Sequence, residues 1–375
     1  MIIGINTRFL LTTKMEGFGW YTFEISKRLV AQHPEHQFVF FFDRPFDSKF
    51  IFGENVKGVI VSPPARHPIL HAIWYEFSLK KALKKHKVDV LFSPDGYLSL
   101  RSKIPQIAVI HDINFEHYPK DLPFFSRTYL RYFFPKYAKK AAKIITVSNY
   151  SKADIQQKYG IEASKITVAW NGASELFKPI SEELKSETKL NYSGGESYFI
   201  FVGAIHPRKN VQRLIDAFVT FKKTTGSSTK LLIVGASLWR DSGFNLNLPE
   251  AIKSEIIFTG HLQLEELAKL MGSALALTYV PYFEGFGIPL LEAMQCGTPI
   301  IAGNLTSLPE VAGDAAIYCD PFNVAAISEK MILLEQSKEL QQQLKEAGLK
   351  RSIDFSWDIS AKIVWDEINL IIKNY

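Results

Sequence analysis

Short apolar runs alternate with longer stretches in which apolar positions recur every three or four residues. In the N-terminal half the runs predict strands at Ile2–Asn6, Gln37–Phe42, Val56–Val61, Val88–Ser93, Gln106–Ile110, Lys143–Val147 and Ile166–Ala169. The periodic stretches predict helices over Gly19–Gln32, Leu70–His86, Phe125–Ala141 and Tyr150–Tyr159. Strands so rich in Ile, Val and Phe lack a polar face, which argues for a parallel sheet covered by helices on both sides. The alternation stops near Phe177-Lys178-Pro179. Residues 179–196 are polar, and Asn191, Ser193, Gly194 and Gly195 predict a linker and loop with no regular element. The pattern then restarts, with strands at Tyr198–Val202, Lys230–Val234, Ile256–Phe258, Ala274–Val280, Pro299–Ala302 and Ala316–Tyr318. Helices are predicted over Val211–Phe221, Gln263–Met271 and Val324–Leu334, and a last amphipathic helix over Trp357–Ile372. The expectation is an α/β chain of two domains, residues 1–178 and 179–356.

A length of 375 residues suits two domains, and 47% hydrophobic with 22% charged residues is ordinary for a globular protein. No apolar run reaches the ~18 residues of a membrane span. The N-terminus reads as a strand and lacks the basic region and cleavage site of a signal peptide. Cys296 and Cys319 imply no disulfide framework, so a reducing cytoplasm is expected. Neither has a second Cys or a His at metal-site spacing. The net charge of +6 is unevenly spread: residues 1–178 hold 26 Lys and Arg against 15 Asp and Glu, the remainder 18 against 23. A basic N-terminal half suits an acidic surface or an anionic acceptor. No Gly-x-Gly-x-x-Gly follows a predicted strand with an acidic residue correctly placed, which weakens a nicotinamide reading.

The most informative stretch is Glu284-Gly285-Phe286-Gly287-Ile288-Pro289-Leu290-Leu291-Glu292, ending at Cys296-Gly297. A buried-looking strand runs into a Gly-x-Gly turn. Pro289 stands at the start of a short helix and Gly297 at its end. Free backbone N–H groups at that start suit a diphosphate. The glycines allow close approach of a ligand. Two carboxylates beside an anion site suit hydroxyls on either side of it, as in a sugar nucleotide. A second stretch, Phe201-Val202-Gly203-Ala204-Ile205-His206-Pro207-Arg208-Lys209-Asn210, ends a strand and leads into a helix. Arg208 and Lys209 would neutralise charge building on a departing diphosphate.

The Glu-x7-Glu spacing resembles the signature of family 4, the glycogen-synthase-like retaining glycosyltransferases of GT-B architecture. The resemblance continues in Thr298-Pro299-Ile300-Ile301-Ala302 and Leu308-Pro309-Glu310-Val311-Ala312-Gly313. It implies two Rossmann-like domains facing across a cleft, with the C-terminal helix, residues 357–375, crossing back to the N-terminal acceptor-binding domain. It implies that Glu292 accepts hydrogen bonds from the ribose, that Glu284 holds hydroxyls of the transferred sugar, and that Gly285, Phe286 and Gly287 approach sugar and phosphate. Lys209 matches a position where the family carries Lys. Ala204 stands where the family carries Arg directly after Gly203, and Arg208 is expected to take over that role. His111, in Val109-Ile110-His111-Asp112, is expected beside the donor sugar. Gly17 and Gly19, in Glu16-Gly17-Phe18-Gly19-Trp20, match a Gly-rich loop. Gly235, His261 and Leu262 are expected to line the nucleotide base. No Asp-x-Asp ends a strand, in agreement with the metal independence of this architecture, so the only co-substrate expected is a GDP- or UDP-sugar.

The expected function is transfer of a hexose, mannose being slightly favoured, to a glycan or lipid-linked acceptor in bacterial surface-polysaccharide assembly. Phe124 to Tyr137 and Trp74 to Lys87 interleave aromatics with cations. They read either as a peripheral membrane surface or as amphipathic helices with buried aromatics. An epimerase of the same architecture would turn over its donor without an acceptor. Ala204 leaves room for a catalytically silent partner subunit. A nucleic-acid-binding role lacks any recognised motif and conflicts with the acidic C-terminal half, so no nucleic-acid partner is expected.

Overall fold

The apolar runs form two all-parallel sheets in the computed structural model, which describes residues 1–11, 15, 17–65, 67–235 and 250–374. Residues 1–171 with 356–375 make one compact unit, and residues 172–355 another.

In the first unit the strands are β1 (Ile2–Asn6), β2 (Gln37–Phe42), β3 (Val56–Ile60), β4 (Val90–Ser93), β5 (Gln106–Val109), β6 (Lys143–Thr146) and β7 (Ile166–Val168). Its helices are α1 (Gly17–Gln32), α2 (Pro68–Ile73), α3 (Lys80–Lys85), α4 (Asn114–His117), α5 (Phe124–Lys140) and α6 (Asn149–Tyr159). The sheet order is β3-β2-β1-β4-β5-β6-β7, every pair parallel. This is the doubly wound arrangement, in which strand order reverses between β1 and β4. The second unit carries β8 (Tyr198–Val202), β9 (Lys230–Val234), β10 (Ile256–Gly260), β11 (Ala276–Tyr279), β12 (Ile300–Gly303) and β13 (Ala316–Cys319). Its helices are α7 (Glu182–Ser193), α8 (Val211–Thr225), α9 (Leu264–Ser273), α10 (Ile288–Cys296), α11 (Leu308–Ala312), α12 (Val324–Gln336) and α13 (Lys338–Ser352). Its order, β10-β9-β8-β11-β12-β13, repeats the same topology, with the reversal between β8 and β11. The two sheets are Rossmann-like. Their central strands are buried along their whole length, as two-sided cover by helices requires.

The last helix, α14 (Trp357–Asn374), packs on α1 in the first unit. Arg28 Nε lies 2.8 Å from Asp358 Oδ1, the Tyr21 and Trp357 rings meet edge to face at 5.9 Å, and Trp365 stacks on His33 at 3.5 Å.

Two sequence expectations need correction. Residues 179–196 are not without regular structure: α7 occupies most of them. Ser181 caps it, its hydroxyl accepting the Leu184 N–H at 3.3 Å, and Gly194 closes it at φ 67°. Ser193, expected to break a helix, instead donates to the Lys189 carbonyl of its own helix and is buried. The periodic stretch Leu70–His86 is interrupted: a π-helical turn, Trp74–Leu79, separates α2 from α3. That turn sends the Tyr75 hydroxyl into the sheet, where it accepts from Asn6 Nδ2 at 2.9 Å and donates to Asp95 Oδ2 at 3.2 Å.

Candidate active site

In doubly wound sheets ligands gather at the carboxyl ends of the strands beside the order reversal. The loops leaving β8 and β11 sit there in the second unit, and they are the two stretches that carry the predicted chemistry. After β11 the chain stays buried from Val280 to Gly287. A buried loop must satisfy its backbone polar groups. Here the neighbouring loops do so. Asn210 Nδ2 donates to the Val280 carbonyl at 2.9 Å, and Arg208 Nη1 to that of Phe283 at 3.1 Å. The Tyr282 N–H reaches the Arg208 carbonyl at 3.1 Å. Thr306 accepts the Glu284 N–H at 3.2 Å, and the Ser307 hydroxyl lies 3.0 Å and 3.1 Å from the carbonyls of Glu284 and Phe286.

This scaffold holds the carboxylate of Glu284 against two cations. Its Oε1 receives Arg208 Nη1 at 2.8 Å, the Tyr279 hydroxyl at 3.0 Å and the Lys209 ammonium. Burial alone would raise the Glu284 pKa, but Arg208 and Lys209 outweigh it and hold the carboxyl below its ordinary range. Burial and the neighbouring Glu284 charge keep the Tyr279 phenol protonated, so it acts as a donor. No described residue donates to the second oxygen, Oε2, of Glu284. The neutral ring of His206 accepts the Arg208 N–H through Nδ1 at 3.2 Å, and burial with the nearby cations lowers its pKa to about 4. Arg208 and Lys209 thus lie in a capped turn, Pro207–Lys209, fixed at its far end by Asn210 at φ 61°.

Gly287, at φ 97°, begins α10, and a Cβ there would meet Leu308 Cδ2 at 2.8 Å. Pro289 is the second helical residue, and Gly297 ends the helix at φ 67°. Among the described residues the N–H groups of Phe286 and Gly287 find no acceptor. Glu292 lies just beyond the first turn of α10 and is half-buried. Burial pushes its pKa up to about 7, and no described cation offsets this. The buried Tyr279 feels the charges of both Glu284 and Glu292.

Gly203 and Gly235 close the ends of β8 and β9. A Cβ on Gly235, at φ 145°, would lie 2.0 Å from the Gly203 carbonyl oxygen, so only glycine fits. His261 is exposed and Leu262 half-buried in the bend after β10.

The remaining predicted residues belong to the first unit. His111 follows β5, its Nε2 2.8 Å from the Pro94 carbonyl. A carbonyl only accepts, so Nε2 carries the hydrogen and Nδ1 keeps the lone pair. Burial lowers the His111 pKa, opposed by that hydrogen bond. Phe18 and Tyr21 pack on its ring, each at 4.8 Å. Gly17 and Gly19 are in the first turn of α1 rather than in a free loop, and Gly19 lies close under the Phe9 carbonyl, 2.8 Å from where its Cβ would stand. Glu16 lies outside the described residues.

Two family profiles match the chain: Glycosyltransferase Family 4 over residues 15–174, and glycosyl transferases group 1 over residues 183–351. The chain belongs to the family 4, or group 1, glycosyltransferases. It is therefore an enzyme of the hexosyltransferase type. This glycosyltransferase is 27% identical to the O-antigen chain mannosyltransferase B of Escherichia coli, over 92% of this chain and 93% of that one. It is 30% identical to the O-antigen chain mannosyltransferase RfbU of Salmonella typhimurium, over 66% and 67%. The fold matches that of Anabaena HepE, solved with UDP and glucose, at a TM-score of 0.76 and 17% identity, over 98% of this chain and 99% of that one. The family uses nucleotide-sugar donors and glycan acceptors. No helix among the described residues of the glycosyltransferase is long and apolar enough to cross a membrane.

Asn210, Ser307, Thr306 and Tyr279 were not singled out from the sequence. Asn210 had one legible signal, since Asn before a helix start tolerates the left-handed region. The others reveal themselves only through contacts between loops distant in sequence.

Proposed function

We propose that this glycosyltransferase moves mannose from GDP-mannose, with retention of anomeric configuration, to a glycan or lipid-linked acceptor in surface-polysaccharide assembly. The observation that carries the site assignment is Glu284, anchored at one oxygen by Arg208 and Lys209 and open at the other. Its Oε2 accepts hydrogen bonds from hydroxyls of the donor sugar, and Glu292 accepts them from the ribose. The Phe286 and Gly287 N–H groups face the sugar and phosphate. His111 lies beside the donor sugar, and Gly203, Gly235, His261 and Leu262 border the nucleotide. Gly17 and Gly19 let the start of α1 approach a ligand.

The acceptor hydroxyl attacks the anomeric carbon on the face the diphosphate leaves. The carbon–oxygen bond to phosphate breaks, and the leaving phosphate oxygen takes the hydroxyl proton. No protein base is required. Arg208 and Lys209 stabilise charge on the leaving diphosphate, in the place where many enzymes use a metal. The enzyme acts without a metal, in the cytoplasm, and a lipid-linked acceptor brings it to the inner membrane face. The two O-antigen mannosyltransferases among its relatives support the choice of mannose and setting.

The first test is thermal shift against GDP, UDP, ADP, dTDP and their sugars, with EDTA present. A shift with the GDP compounds, lost in Glu292→Ala, supports the reading, because a ligand bound only by the folded form raises the melting temperature. A shift with UDP compounds alone refutes GDP-mannose. Donor turnover without acceptor would point instead to epimerisation. No shift with any nucleotide would refute the donor site.

A further inference from the structure

Helix α5 contains five cations, Arg127, Arg131, Lys136, Lys139 and Lys140, and no Asp or Glu. One side of it is core: Tyr129, Phe134, Tyr137 and Ala138 are buried. Tyr129 packs on Tyr97 at 6.3 Å and Phe134 on Phe115 of α4 at 5.0 Å, contacts that fix the helix in rotation. The opposite side exposes three rings, Phe124 at 61%, Phe125 at 70% and Tyr132 at 59%. On a helical wheel these share one face with Arg131, Lys136, Lys139 and Lys140, all exposed. The cations touch the rings: Lys136 Nζ stands 3.2 Å from the Tyr132 centroid, and the Arg127 guanidinium 5.2 Å from that of Phe124.

The adjoining segment repeats the composition. His71 of α2 packs on Tyr129 of α5 at 5.7 Å. Ile69, Ile73 and Phe77, four residues apart, are exposed there at 65%, 39% and 56%. Exposed Lys80, Lys81, Lys84 and Lys85 continue that segment.

We propose that this face of α5, with the Ile69–Phe77 stripe beside it, docks the enzyme on an anionic lipid surface. The inference deepens the lipid-linked acceptor reading above, and names the surface that would bring the chain to its acceptor. Rings seated among cations match the boundary between headgroups and acyl chains, where aromatic bodies enter and Lys and Arg reach phosphate. Protein interfaces are depleted in Lys, whereas a negatively charged leaflet attracts it. Lys and Arg stems also lie along apolar surface while their charges stay in water.

The test is flotation of the full chain with vesicles of phosphatidylcholine alone, or of phosphatidylcholine mixed with phosphatidylglycerol. Wild type floats with the mixed vesicles and not with the neutral ones, and added salt releases it. Each cation near such a surface contributes about fivefold in binding, so Lys136→Gln with Lys139→Gln and Lys140→Gln weakens it about a hundredfold. Phe124→Ser with Phe125→Ser and Tyr132→Ser weakens it at least tenfold. Circular dichroism and the GDP thermal shift stay unchanged in both variants, because the substituted side chains lie on the exposed face. A wild type that ignores anionic vesicles, or variants that bind them as tightly as wild type, overturns the proposal. So does a wild-type dimer that the ring variant turns into a monomer, since a second copy is then the occupant. Vesicle binding that follows the patch, in a protein that no nucleotide shifts, leaves the surface standing and removes the donor-site reading.

Discussion

Glu292→Gln should make the enzyme more stable and unable to hold its donor, with both effects depending on pH. The Glu292 carboxyl has a folded pKa of about 7 against an ordinary 4.5, caused by burial without a compensating cation. Between those values the folded chain keeps a proton that the unfolded chain has released. Unfolding therefore releases a proton, and stability falls as pH rises through this window. Above pH 7 the carboxyl is ionised in both states and the loss is complete. A gap of two and a half pH units corresponds to about 3 kcal/mol, and water reaching the half-buried side chain reduces this to about 2 kcal/mol. Glutamine never ionises, so it avoids the loss. Urea unfolding should show Glu292→Gln close to wild type at pH 4.5 and more stable by about 2 kcal/mol at pH 8. Ribose hydroxyls donating to the carboxylate would stabilise its ionised form. Wild-type affinity for GDP should then rise up to tenfold per pH unit below 7 and level off above it. Calorimetry in two buffers of different ionisation enthalpy would count the proton released on binding. A stability difference that is flat between pH 4.5 and 8, or a GDP affinity unchanged over that range, refutes the reasoning.

Three further outcomes test the scaffold. Gly235→Ala should cost more than about 3 kcal/mol, because the new Cβ would overlap the Gly203 carbonyl; Gly195→Ala, strained in φ but facing open space, should cost about 1 kcal/mol in the same melts. Asn210→Gly should lose about 2 kcal/mol through the unmade bonds to the Val280 and Pro321 carbonyls, and Asn210→Ala about 1 kcal/mol more for its left-handed backbone; equal losses would show that the backbone conformation carries no cost. Lys209→Ala should reduce kcat about a hundredfold and also cost about 1–3 kcal/mol of stability, since buried Glu284 keeps Arg208 as its remaining cation; a variant with full activity would remove Lys209 from the site.

The fold was legible where one signal dominated. Phe38–Phe42 is an uninterrupted apolar run, and the strand expected over Gln37–Phe42 is β2 to the residue. Pro289 and Gly297 bracket α10 by fixed backbone preferences. Legibility failed where two signals competed. In α7, Asn191 and Ser193 read as breakers, yet the cap at Ser181, the packing on α9 and the internal bond of Ser193 prevail. The π turn at Trp74–Leu79 has no sequence signal, because it is set by where Tyr75 must reach Asn6 and Asp95. The aromatic segment Phe124–Tyr137 was ambiguous for a related reason. Tyr129 and Phe134 are core, while Phe124, Phe125 and Tyr132 are on the outside. Composition does not distinguish these sides; the rotation of the helix does.

The position of Ala204 shows why the site must be read as a set of contacts rather than a string. The family places an arginine directly after the glycine that ends the strand, and here that place is empty of charge. Four residues later, Arg208 stands in a turn capped by His206 and closed by Asn210. Its side chain donates to Phe283 and Glu284, and its own carbonyl accepts from Tyr282. The guanidinium therefore reaches the loop after β11 from a different starting point on the loop after β8, and it also fastens the two loops together. Lys209 reaches the same Glu284 oxygen from the next residue. A carboxylate so buried would not stay ionised alone, and two cations so close would repel each other without it. Each charge needs the others in place, which orders the site before any donor arrives. Binding then need not order these side chains, and under the proposed function both cations would already stand where a leaving diphosphate develops its charge.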